Sequence, residues 1–258
     1  MPKLVINVAT RNRPAQLNET LEATLRNMKH PDTVLMVSAD EDDIPTMEFL
    51  DKTTLPVLGS GLPREDTIAA KWNRAMGLFP DATVHMPMAD DCPILTPGFD
   101  SLILDAAALF PDGIGMVYGP YVNGSFPALI CMTKGWVDKV GYIYPELFPY
   151  WFVDHWTDDL CRLVDRISFA PVEVGQTVQL GTQEMREPRF WATFFDSGAI
   201  ARRRIARTII DAPDFREAEW RKELLRRHYP FIEGRSRWIN GNVKMMEAQY
   251  REVERQGG

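Results

Sequence analysis

The sequence predicts an α/β fold: a mostly parallel central sheet flanked by helices, with a helical C-terminal extension. Three observations predict it. Short apolar runs alternate with helically spaced ones from Lys3 to about Phe110, an order that implies right-handed crossovers and a parallel sheet. The run Thr83–Ala89 stops at two adjacent acids, Asp90 and Asp91, followed by Pro93, Pro97 and Gly98. That pattern describes a buried strand whose carboxyl end carries acids to the rim where α/β sheets bind ligands. Beyond Ala201 the pattern is helical and basic, opening with Arg202, Arg203, Arg204 and Arg207.

Each element has a local reason. Lys3–Ala9 is an apolar run suited to a buried first strand, ending in Thr10-Arg11-Asn12-Arg13-Pro14. Pro14 suits the first position of a helix, and Leu17, Leu21, Leu25 and Met28 share one face of it. Thr33–Ser38 is the second strand, ending in Ala39-Asp40-Glu41-Asp42-Asp43. A helix follows from Pro45, then a short strand at Leu55–Leu58 and a loop at Gly59-Ser60-Gly61-Leu62-Pro63. Ile68, Trp72, Ala75 and Phe79 mark a helix with Lys71 and Asn73 on another face. After the Asp90-Asp91 strand, Pro97 to about Phe110 is helical. From Gly113 short runs broken by glycine and proline (Gly115–Tyr118, Pro127–Met132) suggest mixed strands and loops. Asp154–Arg166 reads as a loop entering a helix with Leu160, Leu163, Val164 and Ile167 buried. Arg189–Ile210, Asp214–Arg227 and Arg235–Gln256 read as further helices. The division that follows is a domain at 1–200, with halves 1–112 and 113–200, and an extension at 201–258.

Composition narrows the class. The chain has 258 residues, 45% hydrophobic and 25% charged, ordinary values for a globular protein. A net charge of −7 argues against coating nucleic acid by bulk charge. The basic excess after Ala201 suits either a solvated helix face or a grip on a polyanion. The three cysteines, Cys92, Cys131 and Cys161, fit neither a disulfide framework nor a zinc pattern, which favours a reducing compartment. The N-terminus reads as a strand rather than a signal peptide, and no apolar run approaches the ~20 residues that span a bilayer. The expectation is a soluble, cytoplasmic protein.

Asp90 and Asp91 repel one another and need a nearby cation. Hard carboxylate oxygens suit Mg²⁺ or Mn²⁺, which arrive with a substrate phosphate. The plain alternative is a strand-end turn in which an aspartate caps the next segment.

The ordered set Val8-Ala9-Thr10-Arg11-Asn12-Arg13, Asp40, Lys71-Trp72-Asn73 and Met88-Ala89-Asp90-Asp91-Cys92 before Pro97-Gly98-Phe99 resembles the nucleotide-sugar-binding half of GT-A fold glycosyltransferases of the family 2 type. Trp156-Thr157-Asp158-Asp159-Leu160-Cys161-Arg162 resembles the acidic motif that opens a helix in their acceptor half. The likeness spans roughly residues 3 to 170. It implies a hexosyl transfer from a nucleoside-diphosphate sugar, a UDP-sugar foremost, to a hydroxyl on a glycan, a lipid-linked sugar, a small molecule or a modified nucleic-acid base. It places Thr10, Arg11, Arg13, Lys71 and Asn73 around the nucleotide and diphosphate. Asp40 would accept the base N–H, Asp90 would sit near sugar or ribose, and Asp91 would hold the divalent ion. Asp158 would deprotonate the acceptor, with Asp159 and Asp154 as rivals, and configuration would invert. The chemistry is coherent in its own right, since a departing diphosphate needs its charge neutralised and a hydroxyl needs a base.

Two departures stand out. The usual aspartate triplet is Ala89-Asp90-Asp91, so its first acid is absent, which implies altered ribose contact or weaker metal binding. The histidine that relatives offer the metal after the acceptor helix is replaced by Val178-Gln179-Leu180-Gly181, with His228 a distant substitute. A sugar nucleotidylyltransferase is the rival enzyme, but Ala9–Arg13 lacks its glycines; a non-catalytic nucleotide-sugar-binding module is the rival outside catalysis. Tyr150-Trp151-Phe152 and Trp156 suit either core or a stacking wall, and His155 a structural hydrogen bond.

Overall fold

The computed structural model describes residues 1–122, 126–175 and 187–216, with residues 228, 230–235, 237–239 and 243 of the C-terminal stretch. The first half runs β1 (Leu4–Ala9), α1 (Pro14–Asn27), β2 (Thr33–Asp40), α2 (Ile44–Lys52), β3 (Leu58–Leu62), α3 (Ile68–Leu78), β4 (Val84–Ala89) and α4 (Phe99–Ala107). The second runs β5 (Met116–Tyr118), β6 (Tyr121–Val122), β7 (Phe126–Pro127), β8 (Ile130–Thr133), α5 (Lys134–Val140), α6 (Val153–Val164), β9 (Ile167–Phe169), α7 (Pro188–Ser197) and α8 (Ala199–Ile210).

The main sheet has the order β3-β2-β1-β4-β8-β5-β9. β1 pairs in parallel with β2 and β4, and β2 with β3, while β8 runs against both β4 and β5. β9 is parallel to β5, so every strand of this sheet except β8 points the same way. All six residues of β1 are buried, as expected for a strand with both faces covered. The chain winds outward from β1 to β3 and then returns to the other side of β1 with β4. That reversal makes the carboxyl ends of β1 and β4 the topological switch point.

Capping explains several boundaries. Asp43 accepts from Thr46 N at 3.2 Å to start α2, Thr67 from Ala70 N at 3.1 Å to start α3, and Thr133 from Trp136 N to start α5; each satisfies a donor the first turn leaves open. Two boundaries differ from the sequence expectation. Leu58–Leu62 is an edge strand rather than a loop, because main-chain pairing needs no side-chain pattern. Its Gly61 leaves room for Met47, whose Cε would lie 2.6 Å from an added Cβ. The helix expected over Arg189–Ile210 is two, broken at Gly198, where an added Cβ would lie 2.5 Å from Trp156.

One core lies among the β1–β4 strands, α1 and α4; Leu4, Ile6, Leu17, Leu21, Phe99 and Ile103 are wholly buried in it. A second gathers Trp136, Phe148, Phe152, Trp156, Leu160 and Phe195, and takes in Ile239 and Val243 from the C-terminal stretch. The described part of the extension therefore shares its core with the second half. Phe152 and Trp156 are core. Asp214–Arg216 are not helical; the rest of the helix expected there, and Val178–Gly181, lie outside the described residues.

Candidate active site

The carboxyl ends of β1, β2 and β4, with Lys71 from α3, bring seven of the expected residues together. Thr10 donates its hydroxyl to Asp90 Oδ2 at 2.7 Å, and Arg13 Nη1 donates to Asp90 Oδ1 at 3.2 Å. Thr20 donates to the Asp90 carbonyl at 2.7 Å. Asp90 thus ties the loop after β1 to the end of β4 across the switch point. Burial pushes its carboxyl pKa above the ordinary range and the Asp91 charge adds to this, while Thr10 and Arg13 hold it back. Asp91, beside it and also buried, accepts the Cys92 thiol at 3.3 Å on Oδ1.

At the end of β2, Asp40 is almost fully buried. Its Oδ2 takes Lys71 Nζ at 2.8 Å and Arg11 Nη1 at 2.8 Å, and Lys71 also donates to the Thr10 carbonyl at 3.2 Å. Asp40 Oδ1 is buried and takes no hydrogen bond among the described residues. A bare carboxylate oxygen out of water is costly, and this one lies at the switch-point rim. Arg11 forks onto Asp42 with bonds of 2.7 and 3.0 Å, at the solvent side. Asn12 adopts a φ of 57° and gives its N–H to Asp43 Oδ2 at 2.8 Å, which fixes the loop carrying Arg11 and Arg13.

No protein-family model matches the chain, and no curated protein matches it by sequence. Among solved structures it is similar to S. aureus TarS 1–349 in complex with UDP-GlcNAc, with a TM-score of 0.57 at 14% identity over 88% of this chain and 71% of that one. It is likewise similar to the mannosyltransferase PcManGT from Pyrobaculum calidifontis in complex with GDP-Man and Mn²⁺, with a TM-score of 0.55 at 13% identity over 97% of this chain and 75% of that one. The chain has the GT-A fold.

Within this GT-A sheet, three expectations need correcting. Asn73 does not face the rim. Its Oδ1 accepts from the N–H groups of Ile143 and Tyr144, each at 3.1 Å, and its Nδ2 donates to the Tyr144 carbonyl at 2.9 Å and Glu146 at 3.0 Å. Four bonds exhaust an amide, so Asn73 braces the 143–146 loop. Asp158 is fully buried and accepts from Tyr121 at 2.8 Å, Arg162 Nε at 3.0 Å and Arg235. Burial raises its pKa, but Arg235 and Arg162 outweigh that and hold the carboxyl below its ordinary range. Asp159, also fully buried, pairs with Arg235 at 2.9 Å and Arg202 at 3.5 Å. Both acids are closed in by protein groups.

Asp154, in the first turn of α6, differs from both. Its side chain is 23% exposed, and its Oδ1 accepts from His155 N at 2.9 Å and His155 Nδ1 at 2.8 Å. Burial raises its pKa, yet His155 and Arg235 bring it below the ordinary value. It lies close enough to Tyr144 for its charge, after burial, to push that phenol up. The Tyr144 ring packs on Trp72 at 5.2 Å, and Trp72 donates to the Met88 carbonyl at 2.9 Å. Trp72 and Tyr144 thus link the 143–146 loop to the strand end that carries Asp90 and Asp91.

The remaining expectations resolve simply. His228 contacts Arg162 at 3.2 Å and Asp165 at 3.3 Å at the C-terminal end of α6. Arg202 is buried with its guanidinium 4.9 Å from the Trp156 ring and 4.0 Å from Phe195, while Arg203, Arg204 and Arg207 are exposed. Among the described residues no group of three or more His, Cys, Asp or Glu side chains is placed to cage a metal. No helix among them is long and apolar enough to cross a membrane. Tyr121, Arg162 and Arg235 were missed as partners of Asp158. The Asp158/Arg162 pair has the i,i+4 spacing of a helix ion pair; Arg235 lies 77 positions away, with no local signal.

Proposed function

We propose that the chain is a glycosyltransferase that moves a hexosyl group from a nucleoside-diphosphate sugar, a UDP-sugar first, to a hydroxyl acceptor with inversion. The observation that carries this is the single unpaired oxygen of Asp40 at the switch-point rim. Its partner oxygen is committed to Lys71 and Arg11. One open acceptor suits the one imide N–H of uracil, flanked by carbonyls, better than the two adjacent donors on guanine. Arg11, Arg13 and Lys71 put positive charge beside the diphosphate's path, in line with electrostatic stabilisation of a leaving group.

Asp90 and Asp91 offer hard oxygens, and Asp90 is already balanced by Arg13 and Thr10. That donor set fits a Mg²⁺- or Mn²⁺-type ion attached through Asp91 and completed by phosphate and water, not a full protein cage. When bound, such an ion supplies neutralisation of the departing diphosphate. Asp154 is the carboxylate on α6 with solvent access and is the proposed base. It takes the acceptor proton as the acceptor oxygen bonds the anomeric carbon, while the bond from that carbon to the diphosphate oxygen breaks on the opposite face.

Thermal shift with UDP and GDP, with and without Mn²⁺, and UDP release from UDP-GlcNAc, UDP-glucose and UDP-galactose test the reading. UDP should raise the melting temperature more than GDP, and Mn²⁺ should enlarge the shift. Asp91→Asn should cut turnover by at least about a hundredfold. No UDP release from any of the three donors would leave a binding module; a GDP shift above the UDP shift would overturn the base assignment.

A further inference from the structure

Four observations converge on His155. Its Nδ1 lies 2.8 Å from Asp154 Oδ1 and its own N–H adds a second bond at 2.9 Å to the same oxygen. With that carboxylate ionised, Nδ1 carries the proton and donates it. The ring is 9% exposed at the side chain and sits among aromatic rings: Phe152 at 5.5 Å, Phe195 at 6.2 Å and Trp238 at 6.4 Å, the last stacked at 27°. The His155 carbonyl accepts from Arg235 Nη1 at 2.8 Å. Phe152, just before α6, holds a φ of 70° with its ring 2% exposed. A bulky residue in that region is strained and persists only where packing enforces it.

These contacts orient one oxygen and leave the other. Both short bonds fall on Oδ1 of the acid that keeps solvent access, while Asp158 and Asp159 on the same helix are closed off. Trp238 and Arg235 come from the C-terminal stretch, some eighty residues along the chain. We infer that His155 is a positioning residue that fixes Asp154 for proton abstraction, and that the C-terminal stretch, through Trp238 and Arg235, holds His155 in place. The inference rests on the transferase reading and on Asp154 as base. It makes the extension a working part of the acceptor half rather than an appendage. Among the described residues, the charged or titratable groups that act on Asp154 are His155 on its own helix, Tyr144 from the preceding loop and Arg235 from the C-terminal stretch.

The test compares the full-length chain with Asp154→Asn, His155→Asn, His155→Gln and His155→Leu in Mn²⁺-dependent UDP release from UDP-GlcNAc across pH. Asparagine places an amide N–H where Nδ1 stands; glutamine places it one bond too far; leucine removes it. His155→Gln and His155→Leu should lower kcat roughly tenfold or more while KM for UDP-GlcNAc stays within about twofold, since only base geometry changes. Both should also move the acidic limb of kcat upward, because Asp154 loses the donor that favours its ionised form. His155→Asn should recover kcat to within about threefold of wild type. Wild-type kcat in His155→Gln, or a His155→Asn as impaired as His155→Gln, overturns the inference even if leucine fails to fold. Wild-type kcat in Asp154→Asn instead removes Asp154 as base, and absence of UDP release by the unaltered chain from UDP-GlcNAc, UDP-glucose and UDP-galactose alike removes the transferase reading, so the three failures are distinct.

Discussion

Two acidic regions of this molecule use the same side chains to opposite ends. At the β1–β2–β4 rim, Asp40 and Asp90 are buried beside Lys71, Arg11 and Arg13, yet Asp40 keeps one oxygen without a partner among the described residues. Inside the second core, Asp158 is answered by Tyr121, Arg162 and Arg235, and Asp159 by Arg202 and Arg235. Asp158 and Asp159 are closed in by arginines inside a core, although both oxygens of Asp159 lack a well-aligned hydrogen bond; Asp40 lies instead at the end of a strand, on the switch-point rim. The motif that resembles a transferase base thus lies in the closed cluster, and the acid on the same helix that keeps solvent access is Asp154, one turn earlier.

Breaking the closed cluster should have the largest effect. Arg235→Met leaves Asp158 and Asp159 short of a cation and should cost about 3–5 kcal/mol, read as a lower urea midpoint. A loss below about 1 kcal/mol would mean that the cluster tolerates solvent.

His85, buried near the start of β4, sharpens the contrast from a third side, as a buried group kept neutral. Burial, then the Lys134 charge, lower its pKa to about 4 from 6.5. Between those values the unfolded chain binds a proton that the native chain does not. Stability is therefore full above pH 6.5 and falls as pH drops toward 4, by about 3 kcal/mol in all. The carboxylates held low by arginine lose their contribution only below the ordinary aspartate range, whereas Asp90, held high, acts with the opposite sign, so the difference in urea midpoint between wild type and His85→Leu from pH 6.5 to 4.5 isolates His85. His85→Leu should flatten that slope.

Asn73→Ala tests the brace. It should destabilise by about 1–3 kcal/mol with KM for UDP-GlcNAc unmoved; a raised KM with unaltered stability would return Asn73 to the nucleotide. Arg11→Gln should show the reverse, at the smallest cost to folding. Its pairs are partly exposed, and such pairs add little stability, so the urea midpoint should stay within repeat scatter while the UDP thermal shift shrinks.

Much of the fold was legible locally. Pro14 opens α1 where proline suits a first turn, and Val84–Ala89 is a buried strand ending at two acids. The Gly59–Leu62 edge strand was not legible, because main-chain pairing beside β2 supplied its order and the glycines mark only the approach of Met47. The rim residues were legible for a related reason: in a parallel sheet, whatever follows an apolar run arrives at the carboxyl edge. The roles on α6 were not, since Asp154, Asp158 and Asp159 lie in one short stretch and all read as acids.

The sequence by itself determined which side chains reach the switch point, because strand order and strand ends follow from local patterns of apolar residues and breakers. Tertiary structure alone decided which acids stay available. That depends on Arg202 and Arg235 returning from distant positions to Asp158 and Asp159, and on Trp238 stacking over His155. Whether a carboxylate is open or satisfied is a property of what packs around it, and no local spacing encodes partners that far along the chain.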